Sequence, residues 1–394
     1  MLPLATFWFL YFAGLGVFFP FYTLYLREQV GLSGTEVGVV LAVMPLVGMV
    51  AQPLWGHVAD RTGARSTVLA LLTLGAAAGF AALARLEGFI AFTLGTAALA
   101  VCATAIGPIS LSVAFAALRD RGPHAFGLVR VWGTVGYLLA VASFPVALHR
   151  LAPTAADGSE PGLAALFWVT AACTLAAALT GPWLPRAGDV ALRAPRGEWR
   201  LLLRSAPVWR LLAFSFGGYL LLQGPTALFP LFVRDRGGDL ETVGRMWVMM
   251  LLLEIPLVAL AGTGLRRFGA RGLLAIGVAA GGLRWLLCAL SRDLTVLYAV
   301  QLLHGVVVAG LLLGGPLYLE QVVPERLRST GQALLSTVGV ALAGIISNIG
   351  SGWLIDRFGV DAPFLVGGLG ALALAASATW ILPPASPRPT PGVA

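Results

Sequence analysis

Twelve stretches of about 20 predominantly apolar residues follow one another from end to end of this chain, and they leave it little choice of solvent. A helix rises about 1.5 Å per residue, so about 20 apolar residues cross the ~30 Å hydrocarbon core of a bilayer. The stretches run approximately Leu4–Leu26, Val37–Val58, Ser66–Ala84, Gly88–Leu118, Phe126–Leu148, Gly162–Leu184, Leu211–Val233, Met246–Leu265, Gly272–Leu290, Leu294–Leu319, Gly331–Ile355 and Ala362–Leu382. None alternates with the period of two that a membrane barrel requires, so each is expected to be a helix. With 58% hydrophobic and only 11% charged residues, the chain cannot clothe a water-facing surface. The first apolar run has no basic leader and no small-residue cleavage site, and reads as a retained span.

The formal charge of +8 would suit nucleic acid if it were gathered on one face. Instead the arginines, which account for every basic residue, sit in short clusters between apolar runs. That is a topology signal, and no nucleic-acid partner is expected. Connections on the side of the N-terminus carry about twice as many arginines as those on the other side. The bias places both termini in the cytoplasm of a multi-pass inner-membrane protein. Cys102, Cys173 and Cys288 lie far apart inside apolar stretches with no metal spacing. They read as inert thiols, and no metal or cofactor is expected.

Set against itself at an offset near 206, the chain repeats. Leu24 to Glu28 echoes Leu231 to Asp235, Val37-Gly38 echoes Val243-Gly244, and Gly107-Pro108 echoes Gly315-Pro316. Gly56 to Arg65 (GHVADRTGAR) echoes Gly262 to Arg271 (GTGLRRFGAR). The repeat predicts an all-α integral membrane fold of twelve helices in two pseudo-symmetric six-helix bundles, with a substrate site between them near the midplane. The bundles are 1–184 and 207–383, joined by an Arg-rich cytoplasmic linker, 185–206. The Pro-rich tail, 384–394, is expected to be disordered.

The loop Gly56-x-x-x-Asp60-Arg61-x-Gly63-x-Arg65 follows the second span. Gly63 allows a tight turn between helices. Asp60 can face a helix N-terminus, and the arginines can pair with acids or headgroups. A charged latch of this kind holds one conformation and yields in another; a plain topology-setting loop is the alternative. The stretch resembles the signature loop of the major facilitator superfamily, departing at Ala64 where that loop carries another basic residue. The second copy has Arg266 in place of Asp60.

Ionisable groups at membrane depth are costly unless they face protein or a wet cavity, which makes them functional candidates. Glu254 is the sole acid well inside an expected span; Arg284 and His304 lie near the middle of spans nine and ten. A carboxyl whose protonation depends on whether an arginine is close can couple a proton to a solute as helices move; a permanent Glu254–Arg284 structural pair is the alternative. Arg284 can bind a carboxylate, phosphate or hydroxyl. His304 can carry a proton or merely bridge helices. Arg130, a few residues into span five, can line a cavity or snorkel to headgroups. Tyr137 and Gln301 join the candidates, with Tyr11, Gln52 and others as weaker ones.

Several of these residues lie in longer matches. Tyr11-Phe12 with Gly16 and Phe19-Pro20-Phe21, then Gln52-Pro53-Leu54-Trp55-Gly56, resemble the oligosaccharide:proton symporters and their phenylpropionic-acid and nucleoside relatives. Phe126-Gly127-x-x-Arg130-x-Trp132-Gly133, Leu303-His304-Gly305 and Glu254-Ile255-Pro256 are similar to stretches of the same group. The resemblance implies a sugar- or solute-binding role for Arg130 and a proton and solute network at Arg284 and His304. It also has gaps. Ser112, Val307 and Leu251 stand where the lactose-transporting members carry functional glutamates, so lactose itself is not expected.

The reading is therefore a monomeric secondary transporter of a small solute, proton-coupled and working by alternating access. Aromatic monocarboxylates, sugars and nucleosides are its candidate cargoes, and efflux of drugs or metabolites is the rival direction. A membrane-embedded transferase would need paired acids or a nucleophile with its base, and a channel a charged ring or filter. The sequence offers neither.

Overall fold

A computed structural model describes residues 1–118, 123–152, 160–185, 201–202, 204–259 and 261–383. The linker residues 186–200 and the tail 384–394 lie outside them. Every regular element among the described residues is helical. In chain order the first six helices are α1 (Leu2–Glu28), α2 (Gly34–Thr62), α3 (Arg65–Leu83), α4 (Gly88–Leu118), α5 (Pro123–Leu151) and α6 (Ala165–Leu179). Then come α7 (Ala206–Asp235), α8 (Leu240–Leu252), α9 (Glu254–Ala259), α10 (Ala261–Leu290, which turns at the non-helical Gly269), α11 (Leu294–Gln301) and α12 (Leu303–Val308). After a π-helical turn at Ala309–Leu313 follow α13 (Gly314–Val322) and α14 (Arg328–Leu334), and after a second at Leu335–Leu342, α15 (Ala343–Phe358) and α16 (Ala362–Ala376).

Ten helical stretches among the described residues are long and apolar enough to cross a membrane. The eighth and twelfth expected positions are filled differently. The twelfth is the shorter apolar helix α16. The eighth is broken: α8 ends at Leu252 and α9 begins at Glu254. Pro256 explains the break, because it has no N–H to offer the Leu252 carbonyl four residues back. The starts of this span and of span eleven also fall earlier than the hydropathy suggested, since polar first turns belong to the same helices.

Large apolar side chains lie on the surface, and some strongly polar ones are buried. Leu71, Ile90, Leu94 and Leu128 are each more than 60% exposed, while Arg284 and Gln301 are at most 1% exposed. This inversion of the water-soluble pattern suits a lipid solvent.

The chain divides into two compact units. Unit 1 comprises Met1–Ala191 with Ala227–Val248 and Gly352–Arg357; unit 2 comprises Leu192–Thr226, Met249–Ser351 and Phe358–Ala394. In unit 1, α1 packs on α5 and α6, α2 on α4, and α3 on α4 and α6. In unit 2, α10 packs on α12, α13 and α16.

The start of α2 shows how its backbone donors are satisfied at one end of unit 1. Ser33 caps it with Glu36 in a reciprocal box, the Glu36 N–H donating to Ser33 Oγ at 3.2 Å. The free N–H groups of Gly34 and Thr35 both donate to the Asp356 carboxylate at 2.7 Å. A carboxylate at a helix N-terminus also meets the positive end of the dipole. Beside it, Arg234 donates to Glu28 at 2.7 and 3.1 Å and lies 3.7 Å from Glu160.

The internal repeat reappears as backbone conformation. Gly31 and Gly237 have φ of 77° and 80°, and Gly63 and Gly269 have φ of 65° and 68°. Both pairs stand one repeat apart, and in each the chain turns where an L side chain would be strained. The cap is repeated too: Asp239 accepts from the Thr242 N–H at 2.7 Å, as Ser33 accepts from Glu36.

Candidate functional site

Two glycines bring spans nine and ten together. A Cβ on Gly310 would lie 2.4 Å from Gly277 Cα and 2.6 Å from the Leu273 carbonyl oxygen. Only bare backbone permits that approach. Counting away from this crossing along antiparallel helices, Arg284 is seven residues up α10, and His304 and Gln301 are six and nine back from Gly310. At about 1.5 Å per residue these positions come level. Their side chains meet.

Arg284 is 1% exposed and its guanidinium is satisfied in several directions. Nε and Nη2 donate to Gln301 Oε1 at 2.9 and 2.6 Å. Nη1 faces His304 Nδ1 at 3.0 Å, and Nη2 lies 3.3 Å from Met250 Sδ. The Trp285 ring sits 3.9 Å from the guanidinium carbon, a cation–π distance. The Gln301 amide is fixed from behind, because its NH₂ donates to the Leu297 carbonyl at 2.9 Å and reaches Cys288 Sγ at 3.6 Å. Its oxygen must therefore point at the arginine. Arginine has only donors, so His304 Nδ1 accepts and the imidazole proton in this arrangement is on Nε2.

Glu254 enters this neighbourhood through the broken span. A Cβ on Gly305 would lie 2.7 Å from the Leu253 carbonyl carbon and 2.8 Å from the Glu254 N. The break therefore rests directly on the residue after His304. Glu254 itself is half-buried at the first position of α9. Of the sequence-predicted residues, Arg284, Gln301 and His304 form one hydrogen-bonded cluster in unit 2, and the backbone of Glu254 abuts it.

Arg130 and Tyr137 lie on α5 in unit 1. Arg130 is half-buried, its guanidinium carbon 4.5 Å from the Phe12 ring and 5.6 Å from the Trp8 ring. Helix α5 lies hard against α1: a Cβ on Gly136 would be 2.2 Å from the Phe9 carbonyl oxygen, and one on Gly16 would be 2.6 Å from the Tyr137 carbonyl oxygen. Where the helices lie this close, the Arg130 guanidinium stacks on the Phe12 and Trp8 rings of α1.

The loop between α2 and α3 is a closed turn. Gly63 ends α2 with φ 65°, its N–H donating to the Ala59 carbonyl at 3.1 Å. Asp60 accepts from Arg65 Nη2 at 2.8 Å and Nε at 3.2 Å. Arg65 is the first residue of α3, so the carboxylate meets the side chain that opens that helix. Arg61 is exposed, and nothing lies within 4 Å of a Cβ built on Gly56.

Met250, Trp285 and Cys288 complete the Arg284 environment, as Trp8 and Phe12 do for Arg130; sequence reading placed none of them in the site, and Cys288 read only as an inert thiol. Cys288 stands one helical turn after Arg284, a spacing that marks a shared face. Met250 carried no such signal.

The MFS_1 like family matches residues 1–366. The maltose permease of Geobacillus stearothermophilus is 31% identical over 91% of this chain and 89% of its own. The "Probable 3-phenylpropionic acid transporter" of Escherichia coli is 28% identical over 76% of this chain and 77% of its own. Among solved structures, the nucleoside transporter NupG superimposes with a TM-score of 0.82 at 18% identity, over 96% of this chain and 98% of that one. A family match across nearly the whole length, on an all-helical fold with buried basic groups and an apolar exterior, settles the class: the chain belongs to the MFS_1 like family and is a multi-pass membrane transporter of the major facilitator type, not an enzyme.

Proposed function

We propose that the protein carries a small organic solute into the cell together with protons, by alternating access, as a monomer in the inner membrane with both termini cytoplasmic. The observation that carries this reading is the buried Arg284–Gln301–His304 cluster beside the break at Glu254. A charge-bearing network in a lipid-solvated fold is retained for chemistry more often than for stability. Glu254 and His304 move the proton. Arg284, Gln301, Arg130 and Tyr137 contact the solute or hold those that do. The relatives named for maltose and for phenylpropionic acid support sugars and aromatic acids as cargo classes.

The test is uptake into proteoliposomes of labelled maltose, uridine and 3-phenylpropionate with and without an inward proton gradient. One pH unit is worth about 1.4 kcal/mol, so one coupled proton should concentrate the cargo about tenfold. In Glu254→Gln, solute exchange at equal concentrations should persist while proton-driven accumulation disappears. Accumulation surviving in that variant would refute the role of Glu254, and outward transport against the gradient would reverse the assigned direction.

The Gly56–Arg65 loop fits a latch in this cycle. The Asp60–Arg65 pair is half-exposed on the Asp60 side, and such pairs contribute about 1 kcal/mol or less to stability. Asp60→Asn should thus leave the thermal midpoint nearly unmoved yet slow transport several-fold. An unchanged rate would leave the loop a topological element only.

A further inference from the structure

The turn after the second span recurs one repeat later, and the two copies differ in charge. In the first, Gly63 turns with φ 65° and the Asp60 carboxylate accepts from Arg65 at 2.8 Å. In the second, Gly269 turns with φ 68°, Arg271 stands for Arg65, and Arg266 stands for Asp60. One acid with Arg61 and Arg65 has thus become three arginines, Arg266, Arg267 and Arg271. Arg271 is half-buried and forms no ion pair among the described residues. Its one hydrogen bond is a long one, from Nη1 to the Leu382 carbonyl at 3.4 Å.

A second cation joins it. Tyr318 of α13 is fully buried, its hydroxyl donating to the Pro383 carbonyl at 2.8 Å, and the charges of both Arg271 and Arg210 act on that hydroxyl. Arg210, near the start of α7, is exposed and forms no hydrogen bond or ion pair among the described residues. Glu320 is two positions past Tyr318 and so lies on another side of α13. Two like charges held around one anchored ring repel each other, and an anion between them reverses the sign. Aromatic side chains mark the depth of this patch. Trp209 beside Arg210, Phe268 beside Arg267 and Trp380 just before Leu382 are all at least 46% exposed. Aromatic rings on the outside of a membrane protein gather at headgroup level. Arginines at that level meet the phosphates of lipids.

We propose that this end of unit 2 is a site for one anionic phospholipid, its phosphate held between Arg210 and Arg271 with Arg267 at the rim. The lipid supplies the negative charge that Asp60 supplies in the first copy of the turn. Arg271 and Tyr318 also hold the carbonyls of Leu382 and Pro383, so the lipid ties the last helical turn, Ala378–Ile381, to α10 and α13. The site is independent of the proposed cargo and coupling. Only its assignment to the cytoplasmic leaflet rests on the proposed topology.

The test is native mass spectrometry of the purified full-length protein, titrated in micelles with dioleoylphosphatidylglycerol or dioleoylphosphatidylcholine. One arginine near a lipid phosphate is worth about fivefold in affinity, so two should favour the first phosphatidylglycerol by at least about tenfold. Arg210→Gln combined with Arg271→Gln should bring that ratio to within about threefold of one. Arg61→Gln, which removes an exposed arginine from the first copy of the turn, should leave it unchanged. Arg266→Asp restores the acid of the first copy without touching Arg210 or Arg271. Its carboxylate should pair with Arg271 as Asp60 pairs with Arg65, lowering the preference about fivefold or more while the melting midpoint holds or rises. Where the double variant fails to fold, Arg266→Asp alone decides. Inorganic phosphate and glycerol 3-phosphate at the lipid's concentration should not displace it. A wild-type ratio near one, or a ratio unmoved in the folded variants, overturns the proposal. An equal fall in Arg61→Gln overturns it too, by reducing the effect to overall charge. Displacement by either soluble phosphate makes the patch a site for free phosphates and sinks the lipid assignment.

Discussion

Replacing Arg284 with methionine should cut solute uptake by about a hundredfold or more while changing thermal stability far less. The side chain makes two bonds to Gln301, faces His304 and stacks on Trp285. The proposed solute contact uses the same guanidinium fork, and two hydrogen bonds to a charged group, at about 1.5–3 kcal/mol each, are worth two or more decades of affinity. Stability follows a different account. The variant strands the Gln301 oxygen and His304 Nδ1 without donors, but it also relieves the protein of a charge buried to 1% exposure. Those effects oppose, and apolar replacement of buried charge is often near neutral. Arg284→Lys is the sharper companion: it keeps the charge but a single ammonium cannot reproduce the planar fork or the ring stacking, so uptake should still fall at least about tenfold. Initial rates of proteoliposome uptake, paired with melting midpoints, separate the two quantities. Uptake within threefold of wild type in Arg284→Met would make the arginine a packing residue.

The largest effect on folding should come from Gly310→Val. Its Cβ would fall 2.4 Å from Gly277 Cα, 2.6 Å from the Leu273 carbonyl oxygen and 2.7 Å from the Gly277 nitrogen. All three are backbone atoms, which cannot swing aside as a side chain would. Spans nine and ten must then separate, at a cost of about 3 kcal/mol or more. Separation also pulls Arg284 away from Gln301 and His304, so the fraction that still folds should transport poorly. Gly107→Ala is the control, since nothing lies within 4 Å of a Cβ there. Its melting midpoint should match wild type or exceed it, because alanine is the better helix former. If Gly310→Val melts with that control, the glycine crossing does not hold the site together.

The same crossing shows where sequence reading stops. That Arg284 and His304 are unusual follows from finding charge and imidazole inside apolar runs. That they touch depends on Gly277 and Gly310, whose meeting lies across two different helices. Glu254 was legible as a lone acid, and Pro256 as a disturbance of its helix. The consequence, a break on which Gly305 rests, required the neighbouring span. Arg130 illustrates a choice that local sequence leaves open. Its depth suits either headgroups or a cavity, and its stacking on Phe12 and Trp8 involves rings from another helix that local sequence does not place. A cleft among α1, α2, α3 and α4 was legible in part, through Tyr11 and Gln52. Phe18, Phe80 and Thr104 are ordinary apolar-span residues until three helices place them around one space.

Sequence by itself determined the solvent, the helical class and the twofold repeat. Each depends on properties summed along one segment: apolar length against bilayer thickness, period, and glycines at matching turns one repeat apart. Tertiary structure decided which polar groups share an environment. Such groups meet across helices, and how closely helices approach is set by small residues and backbone breaks whose partners are remote in the chain.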